Sequence, residues 1–335
     1  MERIVIATPL YPPDIGGPAQ YAKNLETVWR ERGHNVVIAY FGKFLRWPTG
    51  LRHLIYFFSL LSKTPRADFI LALDTFSVGF SAVVAAKLLG KKIIIRTGGD
   101  FLYEWYVERT GDLALLRNFY RTSLGKLNLR EGITFYLSRW TVRHCDELVF
   151  STDWQKNIWQ EPYRLRSNCL TVVENYYGPK EQSAAPAEKN FLAGTRPLLW
   201  KNSGRLAEAF RRAKIKNASL IYDETITPFD KFMDKLARCY GVILVSLGDI
   251  SPNMILDAIR YNKPFILTRE TGLYDRLKEV GIFVDPENVD EITKKLIWLA
   301  DDNNYQIVKR RVEQFNFIHT WEQITVEFLQ IYRSL

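Results

Sequence analysis

Short apolar runs alternate along most of the chain with longer segments whose apolar residues recur at helical spacing. This alternation is typical of parallel sheets whose strands are joined by helices. In the first half, the apolar runs predict strands at 4–8, 35–40, 68–73, 92–96, 147–151 and 170–173. In the second half, they predict strands at 218–222, 242–247, 264–268 and 282–284. The sequence therefore predicts one parallel sheet in each half.

The helices between these strands carry recognisable ends. Two predicted helices, 18–32 and 77–89, stop at Gly33 and Gly90, because glycine permits the left-handed turn that closes a helix. A stretch rich in proline and small polar residues, 177–189, lacks apolar periodicity and is predicted to be a linker. The other predicted helical segments are 101–143, about 304–315 and 320–333. One apolar face of the last segment consists of Trp321, Ile324, Phe328 and Ile331. That face predicts packing against a core.

Together these elements predict an α/β fold with two Rossmann-like, doubly wound domains that face a central cleft. The chain has 335 residues, which is enough for two cores of ordinary size. We expect an N-terminal domain over 1–175, a linker over 176–190, a C-terminal domain over 191–318 and a final helix over 319–335. Because open parallel sheets bind ligands at the carboxyl ends of their strands, the loops there are the candidate sites.

Composition narrows the setting and the partners. Hydrophobic residues make up 47% and charged residues 25%, which excludes a disordered chain. No apolar run is long enough to cross a bilayer, and the apolar stretch at the N-terminus is too short for a signal peptide. The three cysteines are widely spaced and odd in number, so neither a set of disulfides nor a zinc site is expected. We therefore expect a cytoplasmic protein. The net charge of +9 favours an anionic partner, although a basic soluble protein needs none. Nucleic acid is not expected, because no recognised binding module is present.

Two loops contain residues suited to binding an anion. The first follows the opening strand, where Gly16 and Gly17 let backbone N–H groups approach a ligand at a helix N-terminus. A plain tight turn is the alternative. This loop lacks the G-x-G-x-x-G dinucleotide pattern, which argues against a dehydrogenase.

The second loop follows the second predicted strand of the second half. There Ser251 is expected to cap a helix, and Pro252 to occupy its first turn. The free N–H groups of Asn253 and Met254 would then be able to receive a diphosphate. Asp249 lies in the loop itself and can point at such a ligand. The alternative is an acidic cap that complements the helix dipole.

Three motifs spread over both halves occur together in one known family. Residues 4–22 combine a strand, a proline-rich loop with two glycines, and a helix. Asp249 and Asp257 enclose seven residues, while Arg196 and Lys201 stand five apart, ahead of a Glu-Ala-Phe sequence. The chain thereby resembles glycosyltransferase family 4, retaining enzymes of the GT-B fold that carry Glu at both acidic positions.

The resemblance implies a retaining, metal-independent transferase. It would move a hexose from a nucleoside diphosphate sugar to a cell-surface glycan or a lipid-linked saccharide acceptor, with no cofactor. Arg196 and Lys201 would bind the diphosphate, and the two glycines of the first loop would face the diphosphate or the acceptor. Asp249 would contact the transferred sugar as a catalytic residue, and Asp257 would bind the ribose. The donor would occupy the C-terminal domain and the acceptor the N-terminal domain, onto which the final helix would cross back.

On the acceptor side the chain follows a variant of the family pattern. The family usually has a His at the position of Gly98. Some relatives instead carry Gly-Asp, with a Glu four residues after that Asp, and this chain matches the variant with Asp100 and Glu104. Asp100 is then the candidate for positioning the acceptor hydroxyl, with Glu104 helping. The alternative for Asp100 is a cap on the next helix.

The second domain also departs from the family in length. Only 47 residues lie between Lys201 and Asp249, so a strand–helix unit that helps to hold the base is expected to be missing, with 225–228 closing the gap. This departure and the two Asp residues motivate a second hypothesis, a catalytically silent binding subunit of a glycan-assembly complex. A nucleotide-sugar epimerase of the same fold is a third.

Basic and aromatic residues cluster in two segments of the first half, 43–47 and 130–143. The second segment includes Phe135, Tyr136, Arg139 and Trp140. A surface of this kind can rest on anionic lipid, which would place the protein peripherally on the inner face of the cell membrane. Ordinary helix packing with a solvated basic side is the alternative.

Overall fold

The computed structural model of the chain describes residues 1–14, 16–193 and 197–335. These residues form two α/β units, each with its own parallel sheet. The first unit consists of Met1–Leu102, Lys126–Asn175 and His319–Leu335. The second unit consists of Tyr103–Gly125 and Tyr176–Ile318.

The sheet of the first unit has six strands, all paired in parallel. They are β1 (Arg3–Thr8), β2 (Asn35–Tyr40), β3 (Phe69–Ala72), β4 (Lys92–Thr97), β5 (Glu147–Phe150) and β6 (Leu170–Val172). The order across the sheet is β2-β1-β3-β4-β5-β6, so the direction of winding reverses between β1 and β3. All six predicted strands are confirmed; β1, β3, β4 and β5 are buried along almost their whole length, whereas β2 and β6, the two outermost strands, stay partly exposed.

The helices of the first half connect these strands. They are α1 (Gly17–Glu31), α2 (Thr49–Lys63), α3 (Gly79–Leu89), α4 (Phe101–Thr110), α5 (Leu116–Thr122), α6 (Leu129–His144) and α7 (Asp153–Gln160). The two predicted helix-closing glycines are confirmed, since φ is +81° at Gly33 and +62° at Gly90. The start of α6 is fixed by a capping box in which Asn128 and Glu131 exchange hydrogen bonds of 2.9 Å.

The second unit has a five-stranded parallel sheet. Its strands are β7 (Lys189–Leu192), β8 (Leu220–Asp223), β9 (Gly241–Leu244), β10 (Phe265–Thr268) and β11 (Ile282–Val284). The order is β11-β10-β9-β7-β8, so the winding reverses between β7 and β9. The sequence predicted four of these strands and missed β7, whose first two residues fall within the predicted linker; the strand pairs with β8 on one side and with β9 on the other.

The helices of the second unit that follow the linker are α8 (Ser203–Lys216), α9 (Phe229–Arg238), α10 (Asn253–Arg260), α11 (Tyr274–Leu277), α12 (Val289–Leu299) and α13 (Asp302–Gln314). Every residue from β8 to β9 is described, and α9 is the one regular element between them. This short connection agrees with the shortened second half that the sequence predicted.

The predicted strand 242–247 extends three residues beyond the end of the observed strand. The sequence predicted 242–247, whereas β9 ends at Leu244. Beyond it, the Val245 carbonyl accepts a hydrogen bond from Asn202, and the Leu247 N–H donates to the Trp200 carbonyl. The prediction was wrong because these apolar residues bond to a neighbouring loop instead of extending the sheet.

The last helix, α14 (Trp321–Ser334), packs within the first unit. Its residues Ile324 and Phe328 are fully buried, and the Thr325 carbonyl accepts a hydrogen bond from the Trp29 indole at 3.3 Å. Tyr332 stacks on Phe69 with ring centroids 4.5 Å apart. The predicted core packing of this face is confirmed. Among the described residues, no helix has the length and apolar character needed to cross a bilayer.

Candidate functional site

A cavity of about 500 Å³ opens in the second unit at the carboxyl end of the sheet. Its walls come from the residues that follow β7, from the first turns of α8, from the residues after β8 and from β9 and its extension. The cavity therefore lies where the winding reverses between β7 and β9. Ligands bind at this point in open parallel sheets, because the connecting loops diverge there to opposite faces.

Lys201 lines this cavity and is paired with Asp249. The Lys201 Nζ lies 2.6 Å from Asp249 Oδ2, which also accepts a hydrogen bond from Ser246 Oγ at 3.2 Å. Both partners of the ion pair are largely buried, with side-chain exposures of 14% and 11%. The ammonium also lies 4.0 Å from the centre of the Trp200 ring. Two residues that the sequence singled out separately are thus in direct contact.

Asn202 fixes the backbone on which Lys201 stands. Its φ of +62° closes a short 3-10 turn, and its buried amide donates to the carbonyls of Val245 (2.9 Å) and Pro286 (2.8 Å). Asparagine is one of the few residues with a side chain that adopt this backbone conformation readily. No local motif in the sequence points to Asn202, because its partners are distant along the chain.

Asp257, the second acidic residue of the motif, has a different environment. It lies in α10, and its carboxylate is 3.1 Å from the Arg260 guanidinium. Arg260 in turn pairs with Glu181 at 2.9 Å. Burial raises the pKa of Asp257, and Arg260 opposes that rise. Asp257 is not among the described residues that line the cavity.

The start of α10 differs from the expectation in one respect. Pro252 is the N-cap, with no side-chain hydrogen bond, so the predicted capping by Ser251 was wrong. The helix then begins at Asn253 and Met254, as the anion-site hypothesis requires. A proline at the cap has no N–H to donate to an anion, so such a site would depend on the following amides at the positive end of the helix dipole.

The segment 103–125 supports the loop that carries Asp249. The Leu116 N–H donates to the Leu247 carbonyl at 3.0 Å, and the Leu116 side chain lies over Gly248. The Arg117 Nε lies 2.7 Å from the buried Glu270 carboxylate, which follows β10. Burial raises the pKa of Glu270, and Arg117 opposes that rise. The backbone N–H of Asp249 donates to the Glu270 carbonyl, so these contacts converge on one loop.

Arg196 lies outside the described residues, so the structure leaves its predicted diphosphate contact untested. Gly16 and Gly17 are found in the first unit, at the N-terminus of α1. Gly16 is the N-cap with φ of +142°, a conformation that favours glycine. The nearby Asp14 accepts a hydrogen bond of 2.5 Å from the Tyr40 hydroxyl, which raises the pKa of Tyr40 to about 12.

Asp100 is buried after the carboxyl end of β4, in the first unit. Its Oδ2 accepts a hydrogen bond of 2.8 Å from the Trp159 indole. The same loop is held by Gln155, whose amide donates to Thr97 Oγ1 and to the Gly99 carbonyl. Trp159 and Gln155 both lie in α7, and no motif in the sequence connects that helix with this loop. Glu104 lies in the first turn of α4.

Gly98 lies directly against the buried side chain of Arg96. A Cβ placed on Gly98 would come within 2.5 Å of the Arg96 guanidinium. That guanidinium stands 4.0 Å from the centre of the Tyr21 ring and donates a 2.5 Å hydrogen bond to Asn175. A larger residue at position 98 would displace this buried arginine.

The described residues contain no cluster of three or more His, Cys, Asp or Glu side chains placed to hold a metal ion. The three cysteines, Cys145, Cys169 and Cys239, are free thiols. Burial raises the pKa of Cys145 and of Cys239 to about 12, so neither is a reactive thiolate at neutral pH.

The predicted basic and aromatic surface is only partly as expected. Phe135 is buried and Trp140 stacks on His144, so these two rings belong to the packing of α6. Trp47 and Tyr136 are exposed. An apolar row on α2 that the sequence did not single out is exposed as well and consists of Leu51, Leu54 and Phe58.

The two doubly wound sheets define a GT-B fold, which solved glycosyltransferase structures share over the whole chain. Sucrose-phosphate synthase from Thermosynechococcus elongatus matches with a TM-score of 0.74 at 10% identity, over 100% of this chain and 99% of that one. HepE from Anabaena, in complex with UDP and glucose, matches with a TM-score of 0.69 at 11% identity, over 100% of both chains. WaaG, a glycosyltransferase involved in lipopolysaccharide biosynthesis, matches with a TM-score of 0.67 at 12% identity, over 98% of this chain and 99% of that one. No family model matches the sequence, and no curated protein does.

Proposed function

We propose that this chain is a retaining glycosyltransferase that moves a hexose from a nucleoside diphosphate sugar to a saccharide acceptor. The observation that carries the proposal is the Lys201–Asp249 pair beside a cavity at the reversal point of the second sheet. This is where an open parallel sheet binds a nucleotide. HepE, which shares the fold, has been solved with UDP and with UDP-glucose.

The donor site is proposed to work by charge. The diphosphate gains negative charge as the sugar leaves, and Lys201, together with Arg196, would neutralise it. The positive end of α10, at Asn253 and Met254, would add to this stabilisation. Asp249, which holds the lysine at 2.6 Å, would contact the transferred sugar. No metal ion is required in this scheme, because positive side chains supply the charge.

The acceptor is proposed to meet the first unit. Asp100 would orient the acceptor hydroxyl, while the leaving phosphate helps to deprotonate it on the same face of the sugar. The Gly16–Gly17 turn, also in the first unit, would approach the acceptor by its backbone. The acceptor proposed is a cell-surface glycan or a lipid-linked saccharide, presented at an anionic membrane surface on the cytoplasmic side.

Calorimetry with UDP, GDP, ADP and CDP tests the donor site. The wild-type chain is expected to bind at least one of them, and Lys201→Ala to abolish that binding. Lys214→Ala is the matched control, because Lys214 is an exposed lysine of α8 away from the cavity lining. Binding that survives in Lys201→Ala would contradict the site. If no nucleotide and no nucleotide sugar binds the wild-type chain, the silent binding subunit becomes the better description.

A further inference from the structure

The cavity contains a second charged side chain that the donor-site scheme does not use. Among the described lining residues, Lys201 is the one cation and Glu224 is the one carboxylate. Glu224 directly follows β8, in the short connection that leads to α9. Its neighbours Thr225 and Ile226 line the cavity too. The short connection between β8 and α9 thus forms part of the cavity wall.

The two charges stand on opposite sides of β7. Lys201 pairs with Asp249, which comes after β9, whereas Glu224 comes after β8. Strands β9 and β8 both flank β7, so they are roughly 10 Å apart. A nucleoside diphosphate has its anionic phosphates at one end and its neutral ribose hydroxyls further along. The cavity has a cation for the phosphates on one side and an acceptor for hydroxyl donors on the other.

The chemistry of Glu224 suits a pair of vicinal hydroxyls. A carboxylate accepts two hydrogen bonds and repels phosphate, so it selects the neutral donors of the ribose. In dinucleotide-binding Rossmann sheets, an acidic residue after the second strand hydrogen-bonds the ribose 2′-hydroxyl. β8 is the second strand of this unit in chain order. Tyr222, two residues before Glu224, lines the cavity as well, and its ring stacks on Phe210 with the ring centroids 4.6 Å apart.

Asp257, to which the family resemblance assigns the ribose, is already engaged. It pairs with Arg260, and Arg260 is tied to Glu181. We propose that Glu224, rather than Asp257, binds the ribose hydroxyls of the donor nucleotide. This inference rests on the proposed function, because it requires that a nucleoside diphosphate occupies the cavity.

The test compares each ribonucleoside diphosphate that binds with its 2′,3′-dideoxy counterpart by calorimetry. The wild-type chain is expected to bind the ribose form with at least roughly tenfold higher affinity than the dideoxy form, because charge-assisted hydrogen bonds contribute at least that much to binding. Glu224→Gln is expected to reduce the preference to about twofold, mainly by weakening the binding of the ribose form. Glu279→Gln, at an exposed site outside the cavity lining, is the matched control and should keep the preference.

Asp257→Asn separates the two candidate residues, since it should change both affinities by the same factor and leave their ratio intact. The inference is overturned if Glu224→Gln keeps the full preference, if Asp257→Asn abolishes it, or if the wild-type chain shows none. If the wild-type chain binds no nucleoside diphosphate at all, the proposed function fails first and takes this inference with it.

Discussion

The Lys201 ammonium lies 2.6 Å from the Asp249 carboxylate, although 47 residues separate them in the sequence. One residue belongs to the connection between β7 and α8 and the other to the connection between β9 and α10. The pair therefore joins the two loops that flank the reversal of winding in the second sheet. A hydrogen bond from the Leu247 N–H to the Trp200 carbonyl joins the same loops through their backbones.

A double-mutant cycle is expected to show that this pair is strongly coupled. Lys201→Met and Asp249→Asn should each lower the free energy of unfolding, because each leaves a largely buried charge without its partner. The double variant should recover part of the loss, with a coupling energy of about 1–3 kcal/mol. The measurement is urea denaturation followed by tryptophan fluorescence. The same cycle on the surface pair Lys309 and Glu313, 3.5 Å apart, should give less than about 0.5 kcal/mol. Equal coupling in the two cycles would contradict the prediction.

Asn202 is expected to be important for stability through its side chain and its backbone. Asn202→Gly should lower the free energy of unfolding by about 2 kcal/mol, because two buried hydrogen bonds are lost while the backbone conformation stays accessible. Asn202→Ala should cost more, since alanine resists a φ of +62°. Asn262→Gly is the control at another left-handed position, with φ of +53°, and should have little effect. A ranking in which Asn202→Gly is the more destabilising variant would refute this explanation.

The close approach of Leu116 to Gly248 predicts that position 248 tolerates no side chain. A Cβ at Gly248 would lie 2.3 Å from the Leu116 Cβ, so Gly248→Ala must displace the segment 103–125 or the Asp249 loop. We expect a lower melting temperature and weaker nucleotide binding. Gly204→Ala provides the contrast, because nothing lies within 4 Å of its Cβ and α8 gains about 1 kcal/mol of helix propensity. Equal melting temperatures for the two variants would count against the packing argument.

The Arg117–Glu270 pair is expected to make the stability of an Arg117 variant depend on pH. Burial raises the pKa of Glu270, and removal of the guanidinium should raise it further. A carboxyl group whose pKa is higher in the folded state than in the unfolded state contributes its full stabilisation of the fold below the unfolded-state pKa of about 4.5. That contribution is lost as pH rises through the folded-state pKa.

Arg117→Ala should therefore be close to the wild type near pH 4.5 and less stable by about 2 kcal/mol near pH 8. Arg117→Lys, which keeps a cation, should lose less at pH 8. Thermal and urea denaturation across this range provide the measurement. A deficit that is independent of pH would show that Arg117 acts through packing alone.

Much of the fold could be predicted because many of the strands are buried on both faces. Runs such as β3 and β4 contain no polar alternation, so their position follows from composition alone. The strand β7 could not be predicted in the same way, since Lys189 and Asn190 begin it and only pairing with β8 and β9 makes it a strand. The local sequence pattern therefore identifies a strand that is buried on both faces. It does not identify a strand that forms only because neighbouring strands pair with it.

The candidate site shows the same division. Lys201 and Asp249 could be selected from the resemblance to known family motifs, but the groups that hold them could not. Asn202 reaches carbonyls 43 and 84 residues away, and Arg117 reaches Glu270 across 153 residues. No sequence window contains both partners of such contacts. The supporting residues of a site therefore emerge only from the folded structure.

The exposed apolar row on α2 supports the proposed contact with a membrane. Leu51, Leu54 and Phe58 recur at helical spacing and stay exposed, and the preceding turn contributes exposed Trp47 and basic residues. Apolar side chains flanked by lysine and arginine favour an anionic bilayer surface, through insertion of the row and attraction of the basic groups.

Sedimentation with vesicles of phosphatidylcholine and 30% phosphatidylglycerol, by weight, provides the measurement. The wild-type chain is expected to co-sediment, less so as salt increases, and not with phosphatidylcholine alone. Leu54→Glu combined with Phe58→Glu should reduce the bound fraction several-fold without changing the melting temperature, because both side chains already face solvent. Ile215→Glu, at an exposed isoleucine of α8, is the control and should bind as the wild type does. Loss of binding in the control, or its retention in the double variant, would remove α2 as the contact surface.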